Sequence, residues 1–185
     1  VVSPNGMEKF EQGQSVPIQF RSSGLKAQSP VAVLNAGTNS VDQWASAQSF
    51  LVTGISTTTA AGNPVANVSG VVDPAPAMVY RSYYQATSGP CNHLVANVPV
   101  SDGTYSVRLH FIEWDTNNVS DRRFDIQLNG QTVRSNYSIL GAAGARYKAV
   151  TEEFTGIVSS GGQGLLIDMV NLTSFGATLA AIEIF

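Results

Sequence analysis

His110 and Glu113 invite a metal or acid–base reading. On a strand, residues i and i+3 face opposite sides, so these two cannot share one ion without a bulge. His110 therefore reads as a framework residue. Cys91 and His93 are a lone pair of soft ligands, too few for a structural zinc. The stretch Asp115-Thr116-Asn117-Asn118 through Asp121 offers the oxygen ligands that calcium takes. It lacks the sixth-position glycine and twelfth-position glutamate of an EF-hand, where Ser120 and Ile126 stand. The cofactor expectation is none, with a calcium in this loop as the alternative. Glycoside hydrolysis needs two acids converging on a cleft. Glu152 and Glu153 are adjacent on a strand and point apart, and Asp102-Gly103 reads as a turn. No Gly-x-Ser-x-Gly elbow occurs. Gly161-Gly162-Gln163-Gly164 lies between strands, with no helix following to hold a phosphate. The chain is expected not to be an enzyme.

The elements that must position any site are strands. Tyr105, Val107, Leu109 and Phe111 alternate with Ser106, Arg108 and His110, so the two sets fall on opposite faces. Phe124, Ile126 and Leu128 point inward in a second strand that ends in Asn129-Gly130, a strong hairpin signal. The partner strand is expected over Gln131–Arg134. Further strands are expected at Val31–Asn35, Met78–Tyr83, Leu94–Val98, Ala149–Phe154, Leu165–Val170 and Thr178–Phe185. Val31–Leu34 and Leu179–Phe185 are nearly continuous apolar runs, the pattern of strands buried on both faces. Gly/Pro clusters at Ala61–Pro64, Asp73–Pro76, Ser88–Pro90 and Ser160–Gly162 punctuate the rest. No helical stretch of about a dozen residues stands out. Many short strands between regular turns read as an all-β, antiparallel β-sandwich of jelly-roll kind.

Composition narrows the partners. Of 185 residues, 43% are hydrophobic and only 12% charged, against roughly 25% charged in an average domain. The polar remainder is Ser, Thr, Asn, Gln and Gly. A net charge of −3 argues against nucleic acid, whose binders carry basic stripes. No apolar run is long enough for a membrane-spanning helix. The chain opens with neither methionine nor a signal-like segment, as a mature or excised piece of a larger protein would. Residues 1–29 read as an extension or the end of an upstream module that leans on the sandwich, and residues 30–185 as the sandwich domain.

From about residue 30 onward an ordered series of motifs resembles the malectin-like carbohydrate-binding modules. The series is "PVAVLNAG", "DPAPAMVYRSYY", "GTYSVRLHFIEW", "RRFDIQLNGQTV", "NYSILGAAGARYKAV" and the terminal "AAIEIF". The resemblance implies a galactose-binding-like β-sandwich without catalysis, appended to a larger secreted or surface protein and binding carbohydrate. Aromatic faces stack on pyranose C–H patches, while amides and carboxylates bond the hydroxyls. In the family three loop segments supply these groups. The family's Glu-Arg-Tyr positions fall here on Tyr83, Tyr84 and Gln85. Its aromatic pair beyond Glu113 falls on Asp115 and Thr116, with Trp114 one place early. Its acidic residue before the last strand falls among Ser174, Phe175 and Gly176. The framework thus matches more closely than the site. The candidate ligand-binding residues are Tyr83, Tyr84, Trp114, Asp115, Asn117 and Phe175. Trp44 reads as a packing residue, since Ala47 replaces the acid that follows in related modules. The expected partner is a neutral glycan, with covalently linked neighbouring modules and with neither nucleic acid nor membrane. A structural or protein-interaction sandwich without sugar binding is the alternative. Exposure separates the two readings, because ligand aromatics should be accessible and form one patch. Four Asn-x-Ser/Thr sequons, at Asn67, Asn118, Asn136 and Asn171, would matter only in a eukaryotic secretory host.

Overall fold

A computed structural model describes residues 29–53, 55–59 and 65–185. The expectations for the N-terminal segment and for the turn at Ala61–Pro64 lie outside these residues. In chain order the strands begin with β1 (Ala32–Asn35), β2 (Ala45–Ser46), β3 (Leu51–Thr53) and β4 (Ile55–Thr59). They continue with β5 (Ser82–Ala86), β6 (His93–Val98), β7 (Gly103–Ile112), β8 (Phe124–Leu128) and β9 (Gln131–Tyr137). After a short helix α1 (Ile139–Ala143) come β10 (Ala149–Ser159), β11 (Leu165–Asn171), β12 (Thr178–Leu179) and β13 (Ala181–Ile184). Among the described residues these form two five-stranded sheets, ordered β10-β7-β13-β1-β2 and β3-β6-β11-β8-β9, and a three-stranded sheet β12-β5-β4. Every pairing is antiparallel except β1 with β2.

The two larger sheets bury their apolar faces against each other, as the alternation in β7 and β8 requires. Val107, Leu109 and Phe111 of one sheet meet Phe124, Ile126, Ile167 and Met169 of the other in a single core. The rings of Phe111, Phe124 and Tyr137 pack there at centroid distances of 5.3–6.0 Å. Asn129 and Gly130 take φ of 48° and 78°, the left-handed pair that a two-residue hairpin turn needs.

The opposite face of β7 is not left to solvent. Arg108 and His110 are buried because a second apolar layer, including Trp44, Val79, Tyr80 and Trp114, covers that face. Alternation in β7 thus marks which face meets the other sheet, not which face meets water. β13 lies between β7 and β1 and is buried along its whole length, in keeping with its continuous apolar run. Val31, in the other such run, is exposed.

Strand boundaries differ from expectation: β10 runs past Phe154 to Ser159, and three further differences bear on the core and the site. The strand expected at Met78–Tyr83 is instead a 3-10 turn over Val79–Arg81 followed by β5. Bonds from Val79 N to Pro76 O and from Arg81 N to Met78 O close that turn, which buries Val79 and Tyr80 side by side. The strand expected at Thr178–Phe185 breaks at Ala180, whose N–H donates to His110 O at 2.9 Å. There the chain passes from the three-stranded sheet into the five-stranded one. The partner of β8 runs past Arg134 to Tyr137 through register shifts, which bring Tyr137 into the core. Helix α1 is too short to show a helical period. Its signals are local: Ser138 Oγ accepts from Gly141 N at 3.2 Å, and Gly144 ends it at φ 77°.

Candidate functional site

Three loops at one end of the sandwich converge on a hollow of about 420 Å³ lined by Tyr83, Gln85, Ser88, Asp115, Ser174 and Phe175. The first loop follows β5, the second follows β7 and the third precedes β12. Their convergence rests on Glu113 and Arg122, both buried. Glu113 ends β7 with its carboxylate turned inward, accepting from the backbone of Asp115 (2.9 Å) and Thr116 (3.3 Å). This curls the loop back over its own strand. Arg122 Nε donates to Glu113 Oε2 at 2.8 Å, and its Nη2 donates to Asp115 Oδ2 at 2.5 Å. Its Nη1 donates to the Gly176 carbonyl, and its guanidinium lies 5.6 Å from the Phe175 ring centroid. One side chain therefore joins the second loop to the third.

Gly176 brings the third loop against β5. A Cβ placed there would stand 2.0 Å from Ala86 O, so only glycine permits this approach. Asn171 fastens the first loop to the third. Its Nδ2 donates to Thr87 O (2.9 Å) and Gly89 O (3.0 Å), and its Oδ1 accepts from Ala177 N (2.7 Å). Across the hollow, the Tyr83 hydroxyl donates to Asp115 Oδ1 at 3.2 Å. The lining thus offers the rings of Tyr83 and Phe175, an amide, hydroxyls and the Asp115 carboxylate, which shares the Arg122 guanidinium with buried Glu113. Such a surface suits an uncharged, hydroxyl-rich molecule.

The structure brings Tyr83, Asp115 and Phe175 together and leaves Tyr84, Trp114 and Asn117 out of the hollow. Tyr84 is 1% exposed and belongs to the main core, on the opposite face of β5 from Tyr83. Trp114 is 3% exposed, with Nε1 donating to Tyr80 O at 3.1 Å and its ring 5.4 Å from that of Tyr147. Asn117 is exposed on the loop beyond. Gln85 and Ser174, read from the family register, both line the hollow, as does Ser88, which sequence reasoning missed. Arg122 was missed as well. Its signal was the arginine of the "RRF" segment, which needs a buried acid as counter-charge and finds it in Glu113.

The other chemistry-bearing residues have structural partners. His110 accepts or donates between Tyr80 Oη and Glu183 Oε1, each at 2.8 Å, with Trp44 packed edge-on at 5.3 Å. Burial pushes the Tyr80 phenol far above its ordinary value, and the same cause raises Tyr84 and Tyr137. His93 pairs with Asp168 at 2.9 Å, Glu152 with Arg134 and Glu153 with Arg108. The cradle of Gly161 and Gly162 N–H groups holds the Asp102 carboxylate at 3.0 and 2.9 Å. In the stretch read for calcium, Asp121 accepts from Thr116 Oγ1 (2.5 Å) and Asn118 Nδ2 (2.9 Å). A larger hollow of about 620 Å³ lies against Pro30, Asp42, Trp44, Asp73, Pro74 and Glu183. It contains none of the predicted site residues.

A family model described as the malectin domain matches residues 55–177. A probable receptor-like protein kinase of Arabidopsis thaliana is 35% identical over 85 residues, which cover 44% of this chain and 10% of that protein. Among solved structures, the extracellular domain of ANXUR2 from Arabidopsis thaliana superposes with a TM-score of 0.73 at 20% identity, covering 84% of this chain and 48% of that one. The ANXUR1 extracellular domain from the same plant gives 0.73 at 19% identity, covering 87% and 51%. A plant complex of the peptide RALF23 with FER and LLG2 gives 0.65 at 19% identity, covering 84% and 48%. The chain thus spans about half the length of these solved chains, and the likeness to them is one of fold.

Proposed function

This chain belongs to the malectin domain family, and from that premise we propose that it is a non-catalytic extracellular module that binds a short segment of neutral glycan in the hollow between its three loops. The observation that carries this reading is the gathering of Tyr83, Gln85, Asp115 and Phe175, from segments far apart in sequence, around one space of about 420 Å³. Phe175 supplies the stacking face, and Gln85, Ser88 and Ser174 supply hydrogen bonds to sugar hydroxyls. Asp115, held by Arg122 and Tyr83, accepts from a sugar hydroxyl. Among the described residues a single carboxylate, Asp115, lines the hollow, where glycoside hydrolysis takes two. The extracellular setting is supported by the receptor-kinase ectodomains that share the fold.

A second reading has its own observation. Tyr84 is buried in one apolar cluster and Tyr83 and Trp114 in another, so the exposed aromatic patch expected of a strong sugar binder is reduced to Phe175. This favours a protein- or peptide-binding sandwich, and one structural neighbour is solved with a peptide and a second protein. Calorimetric titration with glucan, xylan, mannan and galactan oligosaccharides separates the two. Binding to one class that is lost in F175A and D115N supports the glycan reading. No heat with any of the four, from a protein that melts cooperatively, refutes it.

A further inference from the structure

The four sequons are not equivalent in the folded chain, and we propose that Asn67, Asn118 and Asn136 are N-glycan acceptors whereas Asn171 is closed to modification. The assignment rests on the extracellular reading above. The transfer is a substitution at the anomeric carbon of a lipid-linked diphosphate oligosaccharide. The bond from asparagine Nδ2 to that carbon forms, and the carbon–oxygen bond to the diphosphate breaks. The lipid diphosphate leaves with the electron pair, and the amide nitrogen gives up one proton. The modified nitrogen keeps a single N–H, and a bulky polar group must fit beside it.

Asn136 meets both demands. It is exposed at the end of β9, on the wall of an open hollow of about 340 Å³ that Ser135 and Gly141 also line. Its backbone N–H donates to Asp125 Oδ1 at 2.8 Å, and its carbonyl accepts from Arg123 Nη1 at 3.0 Å. The chain there keeps its place whatever the amide carries. Asn67 is exposed, and among the described residues its side chain bonds through Oδ1, accepting from Ser69 N at 3.0 Å. Asn118 is exposed as well. Its Nδ2 donates once, to Asp121 at 2.9 Å, and the one N–H left after transfer suffices for that bond.

Asn171 fails both demands. It is 1% exposed, and its Nδ2 uses both hydrogens, on Thr87 O and Gly89 O. A glycan placed there on the growing chain would prevent the first and third site loops from closing.

The test is to secrete the whole 185-residue chain from a eukaryotic host and map glycopeptides by mass spectrometry after enzymatic release in heavy-oxygen water. Folded, secreted protein should carry isotope-labelled aspartate at positions 67, 118 and 136 and unmodified Asn171. N67Q, N118Q and N136Q should each remove one step of gel mobility without changing secretion. A glycan on Asn171 in folded protein overturns the assignment, as does an unoccupied Asn136 in a host that glycosylates a secreted control. A glycosylated secreted protein alongside a glycan-free native one upholds the three acceptors and overturns the extracellular reading instead.

Discussion

Arg122→Met is the perturbation that bears most directly on the site. It keeps the volume and apolar stem of the arginine while removing a guanidinium that reaches Glu113, Asp115 and the Gly176 carbonyl. Asp115 is about one-third exposed and can turn to water, so its loss contributes little. Glu113 cannot turn to water, its side chain being 1% exposed. Stranding a buried charge in this way costs ~3–5 kcal/mol. Glu113 keeps the backbone donors of Asp115 and Thr116, which places the cost near the lower bound, about 3 kcal/mol. At about 2–4 °C per kcal/mol for a domain of this size, R122M should melt about 6–12 °C below the parent. Adding Glu113→Gln removes the stranded charge and keeps an amide oxygen for the same two N–H groups. The double variant should therefore recover more than half of that loss, which is the signature of a coupled pair. Differential scanning calorimetry of parent, both singles and the double completes the cycle. A drop below about 3 °C in R122M, or a double variant no better than R122M alone, refutes the claim that this pair fastens the site loops.

Three further outcomes follow from the packing. Gly176→Ala sets a methyl group 2.0 Å from Ala86 O and should cost about 1–3 kcal/mol by overpacking. Read as a lower melting temperature, that loss should come with weaker ligand binding, because Phe175 is adjacent. Trp114→Ala should cost about 3–5 kcal/mol yet leave affinity unchanged below its melting temperature, whereas Phe175→Ala should do the reverse; parallel melting and titration series decide this. Tyr80, Tyr84 and Tyr137 have phenols raised by burial. Their neutral forms stabilise the fold fully below the unfolded tyrosine pKa of about 10, and that contribution is lost as pH climbs from there toward the folded values. Tyrosinate absorbance should therefore show these three ionising only together with cooperative alkaline unfolding. Reversible titration of all six tyrosines near their ordinary pKa in native protein would contradict the burial.

The frame of the fold was legible because it follows from alternation and turn chemistry. Val107, Leu109 and Phe111 face the core, and Asn129-Gly130 makes the hairpin, as period and turn propensity dictate. What covers the outer face of β7 was not legible. Trp44, Tyr80 and Trp114 reach it from three separate loops, and nothing local in those loops states the destination. The strand expected at Met78–Tyr83 failed for the same reason. A tertiary demand to bury both Val79 and Tyr80 overrode the extended pattern. Within the site, motif order singled out three loops, and Tyr83, Asp115 and Phe175 from those segments line one hollow. Trp114 was not, since an aromatic at the end of a strand looks the same in sequence whether it turns outward or folds back.

The low charge content has a use that composition alone does not reveal. With only 12% of residues charged, four of those among the described residues, Arg108, Glu113, Arg122 and Glu183, are nevertheless buried. Buried pairs are poor sources of stability, since desolvation offsets most of the attraction. An apolar pair could fill the space of Glu113 and Arg122 without stranding either charge. It could not hold Asp115, the Gly176 carbonyl and the backbone of two loops at fixed distances, because those are polar groups that need polar partners. The pair therefore serves the geometry of the hollow rather than the stability of the sandwich. On that argument an apolar double replacement at 113 and 122 should still fold but melt below the parent, each buried N–H or carbonyl left unpaired costing about 1–3 kcal/mol, and should bind nothing in the hollow. Retained binding with both charges gone would show that the loops hold their positions without them.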